Sequence, residues 1–84
     1  MKQMFVTNEY RVLEFLYNNS VCVNGVNFCA INQYEVAKEL QLSRANINKI
    51  FSNLQSIEYI SMIARGRWRI SNEAIKMIRL TKNL

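Results

Sequence analysis

The chain holds no histidine, no aspartate, two glycines and two cysteines in 84 residues, and each shortage closes off a class of chemistry. Without histidine, no Ser-His or Cys-His nucleophile can be assembled. A transition-metal site would have to use Cys22, Cys29 and glutamates, a poor donor set for zinc. Gly25 and Gly66 lie far apart in the chain, so no glycine-rich phosphate loop exists. The expectation is no enzymatic activity, no metal and no cofactor. Apolar runs all fall short of the roughly 20 residues that cross a bilayer. The first six residues, Met1 to Val6, are too short and too soon interrupted for a signal peptide. A cytoplasmic protein with no membrane partner is expected.

Half of the residues are hydrophobic, enough for one small core and no deep cavity beside it. A single domain over residues 1–84 is expected. A domain this small often gains stability from a second subunit, so a homodimer is expected too. The net charge of +5 is unevenly spread. Through Ser43, the cations Lys2, Arg11 and Lys38 face four glutamates. From Arg44 onward, eight lysines and arginines face only Glu58 and Glu73. The basic half suggests a polyanionic partner.

Helical spacing of Val12, Leu13 and Leu16 predicts a first helix capped by Thr7 or Asn8. Phe15 and Tyr17 widen its apolar arc, which is either core or a face for a second subunit. Asn24-Gly25 between alternating residues predicts a type I′ hairpin that pairs Val23 with Val26 and Val21 with Phe28. Cys22 would then face Asn27, and both cysteines are expected as free thiols, buried or partly buried. Asn32 with Glu35 forms a capping box for a second helix whose buried stripe is Val36, Ala37 and Leu40. Leu42 plugs the corner that follows.

Ser43 caps a third helix running from Arg44 to about Gln55, with Ile47, Ile50, Phe51 and Leu54 on one face. The other faces carry Arg44, Ala45, Asn46, Asn48, Lys49, Ser52 and Asn53. Solvated helix faces usually mix in acids to form i,i+4 pairs, and this one has none. Arginine and lysine match the acceptor edge of guanine, and asparagine matches adenine. The expected partner is double-stranded DNA.

Ile57 and Ile60 are expected to close the core. Ser61 to Ala64 and Arg67 to Ile70 predict a hairpin with Trp68 and Ile70 on one face and Arg67 and Arg69 on the other. Arg65, Arg67 and Arg69 around Gly66 suit phosphates or a narrow minor groove, and solubilising edge charge is the competing explanation. Trp68 reads as a core anchor beneath this hairpin. Ser71 caps a last helix whose Ala74, Ile75, Met77 and Ile78, extended by Leu80 and Leu84, are either core or a dimer seam. The fold class is therefore mainly α with a small β wing (α+β), a single winged helix-turn-helix.

The stretch Glu35-Val36-Ala37-Lys38-Glu39-Leu40-Gln41-Leu42-Ser43-Arg44-Ala45-Asn46-Ile47-Asn48-Lys49-Ile50 resembles the winged-helix superfamily, including its MarR-like and ArsR-like regulators. Its alanine in the first helix, serine opening the next and branched residue four further on follow that pattern. Gln41 stands where glycine is common, and Asn46 and Asn48 where hydroxyl residues are frequent. The resemblance implies a DNA-binding regulator of repressor type that reads with residues 44–55 and grips with a wing over residues 61–70. Leu40-Gln41-Leu42-Ser43, the short arginine-bearing wing and the immediate closing helix are also similar to TubR-like centromere-binding proteins of plasmid and phage partition. That likeness implies a filament-forming partition protein as partner. A module that binds another protein through Phe15, Met77 and Leu80 is the reading from a different class.

Overall fold

Thr7 starts the first helix, α1 (Asn8–Asn18), by accepting a hydrogen bond from the Tyr10 amide through its side-chain oxygen at 3.1 Å. The computed structural model describes residues 7–82. The expectations placed on Met1 to Val6 and on Leu84 lie outside the described residues. Val12, Leu13 and Leu16 are buried, and Phe15 and Tyr17 pack half-buried against the same core.

The first hairpin joins β1 (Val21–Val23) to β2 (Val26–Ala30) in the expected register, with Val21 opposite Phe28, Cys22 opposite Asn27 and Val23 opposite Val26. Asn24 and Gly25 take φ of 53° and 79°, the left-handed pair that a type I′ turn requires. Cys22 departs from expectation. It is exposed while Cys29 is buried, because β1 is a three-residue edge strand exposed along its whole length.

Helix α2 (Gln33–Leu40) has only eight residues, too few to be stable alone. Both of its ends are held. Asn32 and Glu35 form the reciprocal capping box, and Arg11 Nη2 donates to the Leu40 carbonyl at 3.0 Å. The second contact puts a cation at a helix C-terminus, where the macrodipole favours it, and ties α1 to α2. Val36 and Ala37 are buried, whereas Leu40 and Leu42 are half-buried against the core. Gln41 turns the chain with φ 58°, ψ 46°, and its amide and that of Leu42 return to the Lys38 and Ala37 carbonyls. A residue in this left-handed cap is what glycine usually supplies.

Helix α3 (Arg44–Ser56) buries Ile47, Ile50, Phe51 and Leu54. Ile57 does not close the core; it is 57% exposed. It is the C-cap, and Glu58 at φ 62° then swings the chain so that Tyr59 and Ile60 take the inside. The wing follows as β3 (Ile60–Ala64) and β4 (Arg67–Ile70). Its register shifts between Met62 and Ala64, leaving Ile63 as a bulge that increases the local twist. Helix α4 (Asn72–Lys82) buries Ala74, Ile75 and Ile78, so this face is core, while Met77 is half-buried and Leu80 stays 69% exposed.

The two hairpins share a single antiparallel sheet in the order β1-β2-β4-β3. Strand β2 pairs with β4, matching Phe28 to Arg69, Cys29 to Trp68 and Ala30 to Arg67. One face of the sheet gives Cys29, Ile60, Trp68 and Ile70 to the core that the four helices complete. The other face carries Arg67 and Arg69. Four helices and this sheet make a winged helix.

Candidate nucleic-acid interface

The Ser43 hydroxyl accepts the Asn46 amide at 3.1 Å and so starts α3 at Arg44. At about 100° per residue, the buried face fixes where every other side chain of α3 falls. Ala45, Lys49 and Ser52 lie directly opposite the core. Arg44 and Asn48 follow one flank, continued by Gln55, and Asn46 and Asn53 follow the other. All of these residues, and Ser43, are exposed. Ala45 sits centrally, and its short side chain lets a large surface approach the helix backbone.

Charge on α3 runs against its dipole. The helix has no acid in its first turn and no base in its last. Arg44 occupies the positive N-terminal end, where a cation costs about 0.3–1 kcal/mol. Glu58 lies just past the negative C-terminal end. Folding is not served by this arrangement, whereas an N-terminal turn bearing an arginine is suited to an approaching anion.

Two of the candidate residues are engaged by other elements. Arg44 Cζ lies 4.2 Å from the ring centroid of Tyr34 on α2. Asn53 Nδ2 donates to Glu9 Oε2 on α1 at 3.3 Å. The far end of the Asn46–Asn53 flank therefore has an acid beside it after all, contributed by α1. A residue 44 positions away in the chain leaves no trace in the local pattern of α3. Tyr34 and Gln55 were missed for different reasons. The signal for Tyr34 was a large aromatic at the second position of α2, beside the turn, and that for Gln55 was its place seven residues after Asn48 and eleven after Arg44, on the same flank.

The wing divides its three arginines. Gly66 takes φ 73° at the tip, a conformation glycine adopts freely, with Arg65 and Arg67 exposed on either side. Arg69 lies one pleat further down. It lines a groove with Gln55, Glu58 and Glu73, so two acids share its surface, without an ion pair to it among the described residues, while the tip has none.

Trp68 fixes the wing to α3. The indole is 5% exposed and meets Phe51 edge to face, with centroids 4.8 Å apart and planes at 68°. Phe51 belongs to the buried face of α3, so the two basic elements hang from one packed aromatic pair. Its Nε1–H has no acceptor among the described residues. The described residues contain no group of three potential metal ligands and no helix long and apolar enough to cross a membrane.

No protein-family model matches the sequence, and no curated protein does. Solved structures do match in shape. The reduced (FeII) CO-sensing protein from R. rubrum superposes with a TM-score of 0.77 at 20% identity, over 93% of this chain and 39% of that one. A CRP/FNR family transcriptional regulator from Thermus thermophilus superposes with a TM-score of 0.74 at 14% identity, over 99% of this chain and 44% of that one. The chain thus spans about two-fifths of the length of these neighbours. At such identities the likeness shows the winged-helix fold and does not bear on MarR-like, ArsR-like or TubR-like detail.

Proposed function

We propose that the chain is a double-stranded DNA-binding transcription regulator that reads a site with α3 and grips flanking phosphates with the wing. The observation that carries this reading is the exposed face of α3, where Arg44, Asn48, Lys49 and Ser52 stand on a helix with no acid of its own, rigidly joined to the Arg65–Arg67 tip. The fold shared with a CRP/FNR transcriptional regulator supports it. Phosphate contacts supply affinity and register, while base contacts supply sequence preference. Arg65, Arg67 and Lys49 fit the first role; Arg44, Asn46 and Asn48 fit the second.

In its finer form, the proposal is a cytoplasmic homodimeric repressor without enzymatic activity or cofactor. Half-buried Met77 and exposed Leu80 on α4 offer apolar surface toward a second copy. A TubR-like partition adaptor would use the same DNA face, and no feature of the fold favours it.

The test is retention of sheared genomic DNA by the purified protein, followed by affinity measured against salt. If each protomer neutralises roughly five phosphates, the log–log slope is about −4 to −5 per protomer. Arg67→Ala should lower affinity on all sequences alike and flatten the slope by about 1. Enriched inverted repeats upstream of genes would support the repressor, and tandem repeats would support the adaptor. A slope near zero with no enriched DNA overturns the reading and leaves a protein-binding module.

A further inference from the structure

We propose that Tyr34, on α2, is the positioning residue that aims Arg44 and thereby sets the base preference of α3. The proposal rests on the reading of α3 as the DNA-reading helix. Arg44 is at a site where its own helix does not hold it. It is the first residue of α3, its charge opposes the dipole there, and it makes no hydrogen bond or ion pair among the described residues. A long side chain in that situation samples many rotamers, and each must be given up when it docks on a base edge.

The Tyr34 ring favours one placement of the guanidinium over the others. It lies 4.2 Å from the guanidinium carbon, inside the range of a cation–π contact. The contact crosses the turn between the two helices, so it links the residue that reads to the helix that supports it. Both anchor points are fixed. The Asn32–Glu35 capping box, which brackets Tyr34, sets the start of α2, and the Ser43 hydroxyl sets the start of α3. Stacking uses the π system and consumes none of the five N–H donors of the guanidinium. The fork remains available for a bidentate contact with a guanine edge.

Tyr34 also lacks a packing reason to be aromatic. It is 58% exposed, it is not among the residues that pack on the core, and its hydroxyl has no hydrogen-bond partner among the described residues. A ring in the open, at the edge of the proposed DNA face, has Arg44 as its aromatic-specific contact.

The test uses the full chain and a pool of duplexes with a randomised core, from which preferred sites are selected and sequenced. Affinity is then measured on a selected duplex and on the same duplex changed at the base pair whose preference Arg44→Ala abolishes. Tyr34→Leu should reduce that preference ratio by about 2–30-fold, the span of a cation–π contact from exposed to desolvated. Tyr34→Phe and Tyr34→Trp keep the ring and should hold the ratio within about twofold. In the Arg44→Ala background, Tyr34→Leu should cost nothing further. Thermal melts of each variant exclude misfolding as the cause, and Tyr34→Gln, a second ring-free substitution at this exposed position, takes the place of Tyr34→Leu should that variant not fold. Equal weakening on both duplexes by Tyr34→Leu, or an undiminished loss in the Arg44→Ala background, overturns the positioning role. So does Tyr34→Phe behaving like Tyr34→Leu, which would assign the effect to the hydroxyl. A wild-type protein that selects sites but is indifferent to Arg44→Ala overturns the inference and leaves DNA binding standing. One that selects no site fails at the earlier step.

Discussion

Replacing Trp68 with phenylalanine should leave the stability of this domain almost unchanged, although Trp68 is one of its larger core residues. Two opposing effects meet at this side chain. The smaller ring withdraws roughly 40–50 Å² of apolar contact, worth about 1 kcal/mol. It leaves about 30–40 Å³ of unfilled space, worth about another 1 kcal/mol. Against that loss, the substitution deletes an indole N–H that is buried without an acceptor among the described residues, a burden of about 1–3 kcal/mol. The edge-to-face contact with Phe51 survives in altered form. The net change is expected within about 1 kcal/mol. Trp68→Ala gains the same relief but abandons the packing, and such truncations cost about 3–5 kcal/mol. A chain of 84 residues has about 4–13 kcal/mol in total, so this variant should lose a large share of its stability. Urea titration followed by far-ultraviolet circular dichroism measures both, since Trp68 is the sole tryptophan and its fluorescence is lost with it. A loss of about 3 kcal/mol or more in Trp68→Phe would refute the reasoning, because it would mean that the N–H is satisfied in the folded protein.

Gln41 holds φ 58°, where a residue with a Cβ is strained by about 1–2 kcal/mol and glycine is not. After allowing for the greater chain entropy of glycine, Gln41→Gly should stabilise the domain by about 0.5–1 kcal/mol, raising Tm by about 2–8 °C; a lowered Tm would contradict the left-handed cap. The two thiols should differ in kind. Cys22 should be labelled by a disulfide reagent at once and Cys29 only as the domain opens, since burial shuts the second away and pushes its pKa up. A raised folded-state pKa means the native thiol keeps its proton where the unfolded one has lost it. Cys29 therefore favours folding fully at neutral pH, and stability should fall as pH rises past the ordinary thiol range. Tyr10, raised by desolvation and by Glu14, acts in the same direction at higher pH. A stability profile that rises between about pH 8 and 10 would contradict the assignment of Cys29.

What could be read from the sequence was local. The Asn24-Gly25 turn, the Asn32–Glu35 box and the Ser43 cap each specify their geometry within four residues, and all three formed as expected. The register of the first hairpin followed from its turn alone. What could not be read was how distant pieces meet. The pairing of β2 with β4 places Cys29 against Trp68, and no turn chemistry links strands that far apart. Ile57 illustrates a finer failure. Its apolar character suggested the core, but the left-handed residue after it redirects the chain, so a backbone angle at Glu58 decides what Ile57 faces. At the candidate site, the outward residues of α3 were legible from helical spacing. The contacts of Arg44 with Tyr34 and of Asn53 with Glu9 were not, because both come from other helices.

The sites where this chain departs from its most stable arrangement gather around α3. Gln41 and Glu58, one on either side of the helix, both carry side chains in left-handed conformations; the third such residue, Asn24, serves the first hairpin turn, where asparagine is readily accommodated. Arg44 and Glu58 set charge against the dipole at its two ends. Elsewhere the chain follows the energetics of its helices closely: Arg11 completes α2, Thr7 and Asn32 cap their helices, and Glu73 and the Arg79–Lys82 pair suit the two ends of α4. Local conflict concentrated in one element is expected where function, and not folding, selects the residues. Such a concentration would point to α3 even if the helix carried no excess of basic charge. Neutralising Arg44 relieves about 0.3–1 kcal/mol at the dipole and forfeits about 0.5–1 kcal/mol of exposed stacking on Tyr34, so the stability of the free protein should change by no more than about 0.7 kcal/mol while its discrimination among DNA sequences weakens. The two effects separate cleanly in one variant, Arg44→Gln, measured by urea titration and by the preference ratio. If Arg44→Gln destabilises the free domain by more than about 0.7 kcal/mol, the stack on Tyr34 contributes more to folding than the dipole opposes, and Arg44 would belong to the scaffold as much as to the reading face.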